Sequence, residues 1–258
     1  MRIIGRPGPL ALVGSGEYLP EMEETDAALL GMVGGAASAR VVILATASGL
    51  EPPESPARWT RLGLDHFARL GARVEVAPIL RREDALDPRW LPLLEAANFF
   101  YFSGGDPGHV VATLRDSPAW EAIRARHLAG AALAGCSAGA MAICGLTARV
   151  RALAGGEDAQ WQPALGLLPR LIVLPHFDRI AGFIGTERLQ RAVRAVPDGS
   201  TLLGVDEETA LVRVATSDGP GAPDRWQVFG RQGVSLFVAG EEDPRRLAAG
   251  QQVDLASS

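Results

Sequence analysis

Short, nearly unbroken apolar runs recur along this chain, each followed by a longer stretch in which apolar and polar residues alternate with helical spacing. The runs at 10–13, 41–45, 74–77, 99–102 and 131–134 have strand length, whereas 24–32, 56–70, 88–97, 108–114 and 118–128 read as helices. Strands that are apolar on both faces, separated by amphipathic helices, predict a doubly wound, mostly parallel α/β sheet flanked by helices. Further on, 171–174 reads as another strand after a Gly- and Gln-containing loop at 155–163, and 186–196 as a helix. Shorter alternating runs follow at 202–205, 210–214, 226–229 and 234–238, broken by the turn-forming cluster 217–221. These tail strands are expected to extend the same sheet in antiparallel fashion, making residues 1–258 a single domain.

In an open α/β sheet, ligands bind beyond the carboxyl ends of the strands, so the residues just after each run carry the chemistry. After the fifth run stands Gly135-Cys136-Ser137-Ala138-Gly139, leading into the small helix formers Ala140, Met141 and Ala142. A Gly-x-Ser-x-Gly turn between strand and helix is a nucleophile elbow. Its glycines let the two elements cross closely, and the tight turn presents the serine hydroxyl above the sheet edge. Ser137 is the candidate nucleophile.

Composition narrows the chemistry. The charge of −5 comes without a basic tract, which argues against nucleic acid or an acidic membrane surface as partner. No apolar stretch reaches spanning length and no leader-like segment opens the chain, so a cytoplasmic location is expected. All 25 basic residues are arginine, which removes a lysine Schiff base and a phosphate-loop lysine from consideration. Two cysteines, Cys136 in the elbow and Cys144 on the helix expected after it, make no disulfide framework. Four scattered histidines lack metal-ligand spacing, so neither metal nor cofactor is expected. The expected partner is a small peptide; a homodimer is left open.

A serine nucleophile needs a base, and the base needs a group to orient it. Among the histidines only His176 follows a strand; His66, His109 and His127 fall within predicted helices, where solvent or helix-end roles explain them. The orienting acid should also leave a strand end, which admits Glu207 and Asp206, then Asp178 and Glu208. For a developing oxyanion, the Ala138 amide at the helix start is one donor, and Gly104-Gly105 after the fourth run is a natural second source.

The ordered set Gly104-Gly105-Asp106, Gly135 to Ala140, Leu165-Gly166-Leu167-Leu168-Pro169, His176-Phe177-Asp178-Arg179 and Gly204 to Ala210, with Gly14-Ser15-Gly16-Glu17 and Leu44 to Ser48, resembles the S51 serine peptidases. That family contains aspartyl dipeptidase (peptidase E) and cyanophycinase. The resemblance implies the class I glutamine amidotransferase-like, flavodoxin-like three-layer fold and a Ser-His-Glu triad carried by Ser137, His176 and Glu207, with Gly105 and Ala138 as oxyanion donors. It implies a serine-type peptidase acting on short peptides, Asp-containing dipeptides among them. The order serine, histidine, acid differs from that of α/β-hydrolases, which argues against an esterase or lipase. Cyanophycinases carry Asn-Gln after the glycine pair, Asp-Gln before the histidine and several arginines after it. Here Asp106-Pro107 and Leu174-Pro175 stand at those places and only Arg179 follows closely, so the cyanophycinase-like β-aspartyl reading is the alternative. An acidic substrate side chain would call for a cation, with Arg179 and Arg188 as candidates and Asp106 as a further substrate contact. A Cys136-dependent amidotransfer and a non-catalytic binding protein complete the rival readings.

Overall fold

The computed structural model describes residues 6–148, 160–215, 223–239 and 244–256. In chain order they form β1 (Leu10–Val13), α1 (Glu23–Met32), β2 (Arg40–Leu44), α2 (Glu54–Arg69), β3 (Arg73–Val76), α3 (Arg82–Leu86), α4 (Leu91–Ala96), β4 (Phe99–Phe102), α5 (Pro107–Leu114), α6 (Pro118–Leu128), β5 (Ala132–Cys136), α7 (Ala138–Ile143) and β6 (Cys144–Thr147). There follow β7 (Gln162–Pro163), β8 (Leu168–Leu174), α8 (Phe177–Ile184), α9 (Thr186–Arg194), β9 (Thr201–Val205), β10 (Thr209–Ala215), β11 (Asp224–Gly230), β12 (Gly233–Val238), β13 (Arg245–Ala248) and β14 (Gln252–Leu255). The turn cluster 217–221 and most of the loop expected at 155–163 lie outside the described residues.

The predicted α/β fold is present, with a large, mainly parallel sheet flanked by helices. Eight strands run in the order β14-β11-β10-β1-β5-β4-β2-β3. From β1 to β3 every pairing is parallel, and β10, β11 and β14 add antiparallel strands at the β1 edge. Side chains alternate across this sheet with period two. Leu10, Leu12, Phe100, Phe102 and Leu133 pack on one face with α5 and α6; Ala11, Val13, Phe99, Tyr101 and Ala134 pack on the other with α1 and α2. Each fully buried large apolar side chain contributes about 1.5–3 kcal/mol, and both faces being covered explains why these strands read as unbroken apolar runs.

The tail does not all join that sheet. Strands β13-β12-β9-β8-β6-β7 form a second, six-stranded sheet, so 171–174, 202–205 and 234–238 belong there, and only 210–214 and 226–229 extend the first. The reason is occupancy. β5 already has β1 and β4 as neighbours, and β10 takes the remaining edge of β1, so the chain leaving the elbow finds no free edge beside it. The elbow helix is also short: the chain is extended again at Cys144 (φ −71°, ψ −177°), which therefore opens β6 and does not lie on a helix. One face of the second sheet (Leu171, Val173, Leu203, Val205) shares the core of the first, and its other face (Ile172, Leu174, Leu202) is covered by Ile180 and Ile184 of α8, by Leu189 and Val193 of α9, and by Val196 just beyond it.

Candidate active site

The two sheets meet where their strand ends carry the candidate residues. Gly14, just past β1, lies so close to the β9 exit that a Cβ there would collide with the Asp206 carbonyl. The turn 206–208 then carries the chain from the second sheet into β10 of the first, with Glu208 at a positive φ of 51°. Glu207 stands on this corner.

Ser137 occupies the turn between β5 and α7 with φ 49° and ψ −110°, a conformation L-residues avoid at a cost of about 1–3 kcal/mol. The surrounding packing imposes it. Cβ atoms at Gly135 and Gly139 would strike the backbone of the α7 start and of Phe102, respectively, so only glycine at both positions lets strand, turn and helix approach this closely. His176, at the end of β8, is left-handed (φ 50°, ψ 38°) and starts α8. Gly204 on β9 leaves the space that the Phe177 ring fills, seating the first residue of α8 against the second sheet.

These two turns and the 206–208 corner bring three side chains together. His176 Nε2 lies 3.2 Å from Ser137 Oγ, and His176 Nδ1 lies 2.9 Å from Glu207 Oε1. A carboxylate only accepts, so Nδ1 donates its proton to Glu207, and in the neutral imidazole Nε2 is then the acceptor that faces the hydroxyl. Glu207 is held in turn: its amide donates to Asp178 Oδ1 at 2.9 Å, and its Oε2 pairs with Arg179 Nε at 2.8 Å. Of the four acids the sequence left open, Glu207 touches the imidazole and Asp178 braces its backbone. Asp206 is buried and engaged elsewhere, accepting from Arg246 and from the Gly233 amide, and Glu208 pairs with Arg231 at 3.3 Å.

Gly105 adopts φ 144°, and a side chain there would run into the Ala47 carbonyl. The next residue, Asp106, donates its amide to that same carbonyl, while its side chain caps α5 through the His109 amide at 2.9 Å. The Gly105 and Ala138 amides make no hydrogen bond among the described residues; Ala138 opens α7 directly after the serine, and Gly105 follows Gly104, where a Cβ would lie 3.4 Å from Ser137 Cβ. Arg188 donates to the Ile184 carbonyl at 3.2 Å.

The other histidines and the cysteines are accounted for by packing. His66 and His127 are buried and not solvent-facing: His66 meets Asp26 Oδ2 at 2.8 Å, and His127 Nε2 accepts from Arg213 at 2.7 Å. Burial, reinforced by the neighbouring Arg213 charge, pushes the His127 pKa down to about 3. His109 lies 2.8 Å from the Leu80 carbonyl. Cys136 is fully buried, with its thiol pKa driven up by burial and by Glu17. Buried in the last position of β5 and bonded to Glu17, it lacks the access and the thiolate that a Cys136 nucleophile would need. Among the described residues no group of three His, Cys, Asp or Glu side chains could hold a metal ion, and no helix is long and apolar enough to cross a membrane.

One buried acid escaped the sequence reading. Glu17, in the turn after β1, is 7% exposed. It accepts from the Gly104 amide at 2.8 Å and from the Cys136 thiol at 2.9 Å. Its signal was an acid directly after a Gly-Ser-Gly strand exit.

A strained elbow serine aligned with an imidazole and a carboxylate at the rim of an α/β sheet is the arrangement of the serine hydrolases. Within that class, the model of peptidase family S51 matches residues 10–217, and the chain belongs to this family. It is 35% identical over 213 residues to cyanophycinases of Trichormus variabilis and of a Nostoc species. That alignment takes in 78% of the chain and spans 64% of those relatives' length. The crystal structure of a peptidase from an acI-B1 actinobacterium superposes with a TM-score of 0.82 at 33% identity, covering 98% of both chains. A protein from Listeria monocytogenes assigned to peptidase E shares the fold at a TM-score of 0.58 and 18% identity, over 80% of this chain and 94% of its own.

Proposed function

We propose that this protein is a serine peptidase that hydrolyses short peptides through an acyl-enzyme, with Ser137 as nucleophile, His176 as general base and acid, and Glu207 as the orienting carboxylate. The observation that carries the reading is the continuous hydrogen-bonded run from Ser137 Oγ through the imidazole to Glu207. His176 Nε2 takes the hydroxyl proton as Oγ attacks the scissile carbonyl carbon. The amides of Gly105 and Ala138 receive the oxyanion. As the tetrahedral intermediate collapses, the imidazolium hands its proton to the departing amine and the C–N bond breaks. Water, deprotonated by the same imidazole, then attacks the ester and releases the acid and the serine. Glu207 stabilises the imidazolium in both halves, and its second oxygen is held by Arg179.

Asp-X dipeptides are the first substrates to try, with Arg179, which pairs with Glu207, and Arg188, which donates to the Ile184 carbonyl, as the candidates for the acidic side chain. A β-aspartyl-arginine dipeptide belongs in the same panel, since the curated relatives are cyanophycinases. Ser137→Ala should abolish hydrolysis of whichever member is cleaved, a loss of about 10⁴-fold or more, with the melting temperature unchanged. A fluorophosphonate probe should label the parent protein at Ser137. A folded Ser137→Ala protein that still cleaves the substrate would refute the assignment.

A further inference from the structure

The Gly104-Gly105 loop has no secondary structure of its own to hold it, yet an oxyanion donor must sit within a few tenths of an ångström of its place. Its flanks are tied by main chain, Ser103 to the Leu44 carbonyl and Asp106 to the Ala47 carbonyl; between them the carboxylate of Glu17 is what grips the glycine pair. Oε1 accepts the Gly104 amide and Oε2 accepts the Cys136 thiol. Glu17 itself follows β1, Gly104 follows β4, and Cys136 is the last residue of β5, which pairs with both. One side chain thus ties together three neighbouring strand ends around the elbow. The fit is close: a Cβ at Gly104 would lie 3.0 Å from Glu17 Oε1 and 3.4 Å from Ser137 Cβ.

A buried acid bonded only for stability could equally have been an apolar residue, because a buried charged group rarely repays its desolvation. What an apolar residue could not do is select between the two glycine amides. Glu17 occupies the Gly104 N–H and leaves the Gly105 N–H without a partner among the described residues. The Cys136 thiol stays protonated because burial holds its pKa high, so it remains a donor and anchors the second oxygen.

We propose that Glu17 is the positioning residue of the oxyanion side of the site, fixing the Gly104-Gly105 loop against the elbow so that the Gly105 amide is presented to the reacting carbonyl. This rests on the serine peptidase reading above. It adds a residue that touches neither substrate nor the Ser-His-Glu run.

The rate of Ser137 phosphonylation by a fluorophosphonate probe tests it without a known substrate, since the probe reacts with the serine and places an oxygen where the oxyanion forms. Glu17→Ala should lower the maximal inactivation rate about tenfold to a hundredfold, with the concentration for half-maximal rate changing less than about twofold. Glu17→Gln should recover most of the rate, because its amide oxygen still accepts from Gly104. A Glu17→Ala protein labelled at the parental rate, or a Glu17→Gln protein as slow as Glu17→Ala, overturns the proposal. If Glu17→Ala does not fold, Cys136→Ala removes one of the two anchors and should slow labelling about threefold, whereas Cys136→Ser keeps the donor and the rate; equal rates for these two overturn it as well. Labelling of Ser137→Ala at the parental rate would instead defeat the serine peptidase reading, and so the two failures are distinct.

Discussion

The nucleophile and its base are held by different sheets, and the two halves of the site are built by different means. On the first sheet, Ser137 and Gly105 are set mainly by the backbone, since glycines at 105, 135 and 139 face main-chain atoms that cannot move aside, with the buried Glu17 carboxylate as the one side chain that grips the Gly104 amide. On the second sheet, His176 and Glu207 are set by side chains. The Phe177 ring packs at Gly204, Asp178 grips the Glu207 amide, and Arg179 grips the Glu207 carboxylate. The base half is also wetter, with the His176 side chain 37% exposed and that of Arg179 65% exposed. Rigid backbone suits the part that must match the tetrahedral geometry, and adjustable charge pairs suit the part that exchanges protons with leaving group and water.

This contrast predicts a graded series. Gly105→Ala should be the most damaging of the set, because the new methyl meets the Ala47 carbonyl and the oxyanion donor is displaced; kcat should fall about 10²–10³-fold, measured on the cleaved dipeptide or as the fluorophosphonate rate. Gly204→Ala should cost less, about 10–100-fold, since its obstacle is the Phe177 ring. A Phe177→Leu change in the same chain should recover part of the loss, whereas no side-chain change should rescue Gly105→Ala.

The buried pair His127–Arg213 tests the rigidity of the first sheet by pH. In the unfolded chain the imidazole takes up a proton near its ordinary pKa of 6.5, but in the folded chain only near 3. The unfolded state therefore binds more protons across that window, so stability falls as pH drops from 6.5 toward 3 and is unaffected by this group above it. Between pH 7 and pH 5 the loss should be about 2 kcal/mol, read by urea denaturation, and His127→Asn should flatten that slope. The smallest effect belongs to the exposed clamp. Arg179→Ala should lower kcat less than about tenfold, and added salt should shrink the parental advantage, because an exposed ion pair is worth about 0–1 kcal/mol. A loss as large as that of Gly105→Ala would erase the contrast between the halves.

Much of this was written in local pattern. Strands β1, β2, β4 and β5 of the first sheet fall within a few residues of the apolar runs, since burial on both faces forces continuous apolarity, whereas its edge strand β14 went unread. The elbow was legible because its constraints are local: glycines at 135 and 139 and a serine between them. His176 and Glu207 could be nominated as residues leaving strands, but the residues themselves did not separate Glu207 from Asp206. That distinction depends on Arg246, 40 positions along the chain, which engages Asp206.

Periodicity says which side chains are buried and in what kind of element; it says nothing about which strand edge is free. The allocation of 171–174, 202–205 and 234–238 to a second sheet followed from both edges of β5 being occupied, a fact of three-dimensional crowding. Glu17 was decided in the same way. An acid after a strand ordinarily faces water, and this one is buried because an amide 87 residues away and a thiol 119 residues away reach its two oxygens. By itself the sequence determined the parallel strands of the first sheet with most of their helices, the elbow and the family, because those rest on neighbours in the chain; it left β6, β13, β14 and α8 unmarked. Which acid meets the imidazole was implied by the family resemblance but placed in space only by the tertiary structure, and which acid holds the glycine loop was decided by that structure alone, because a carboxylate's role is set by the donors that surround it.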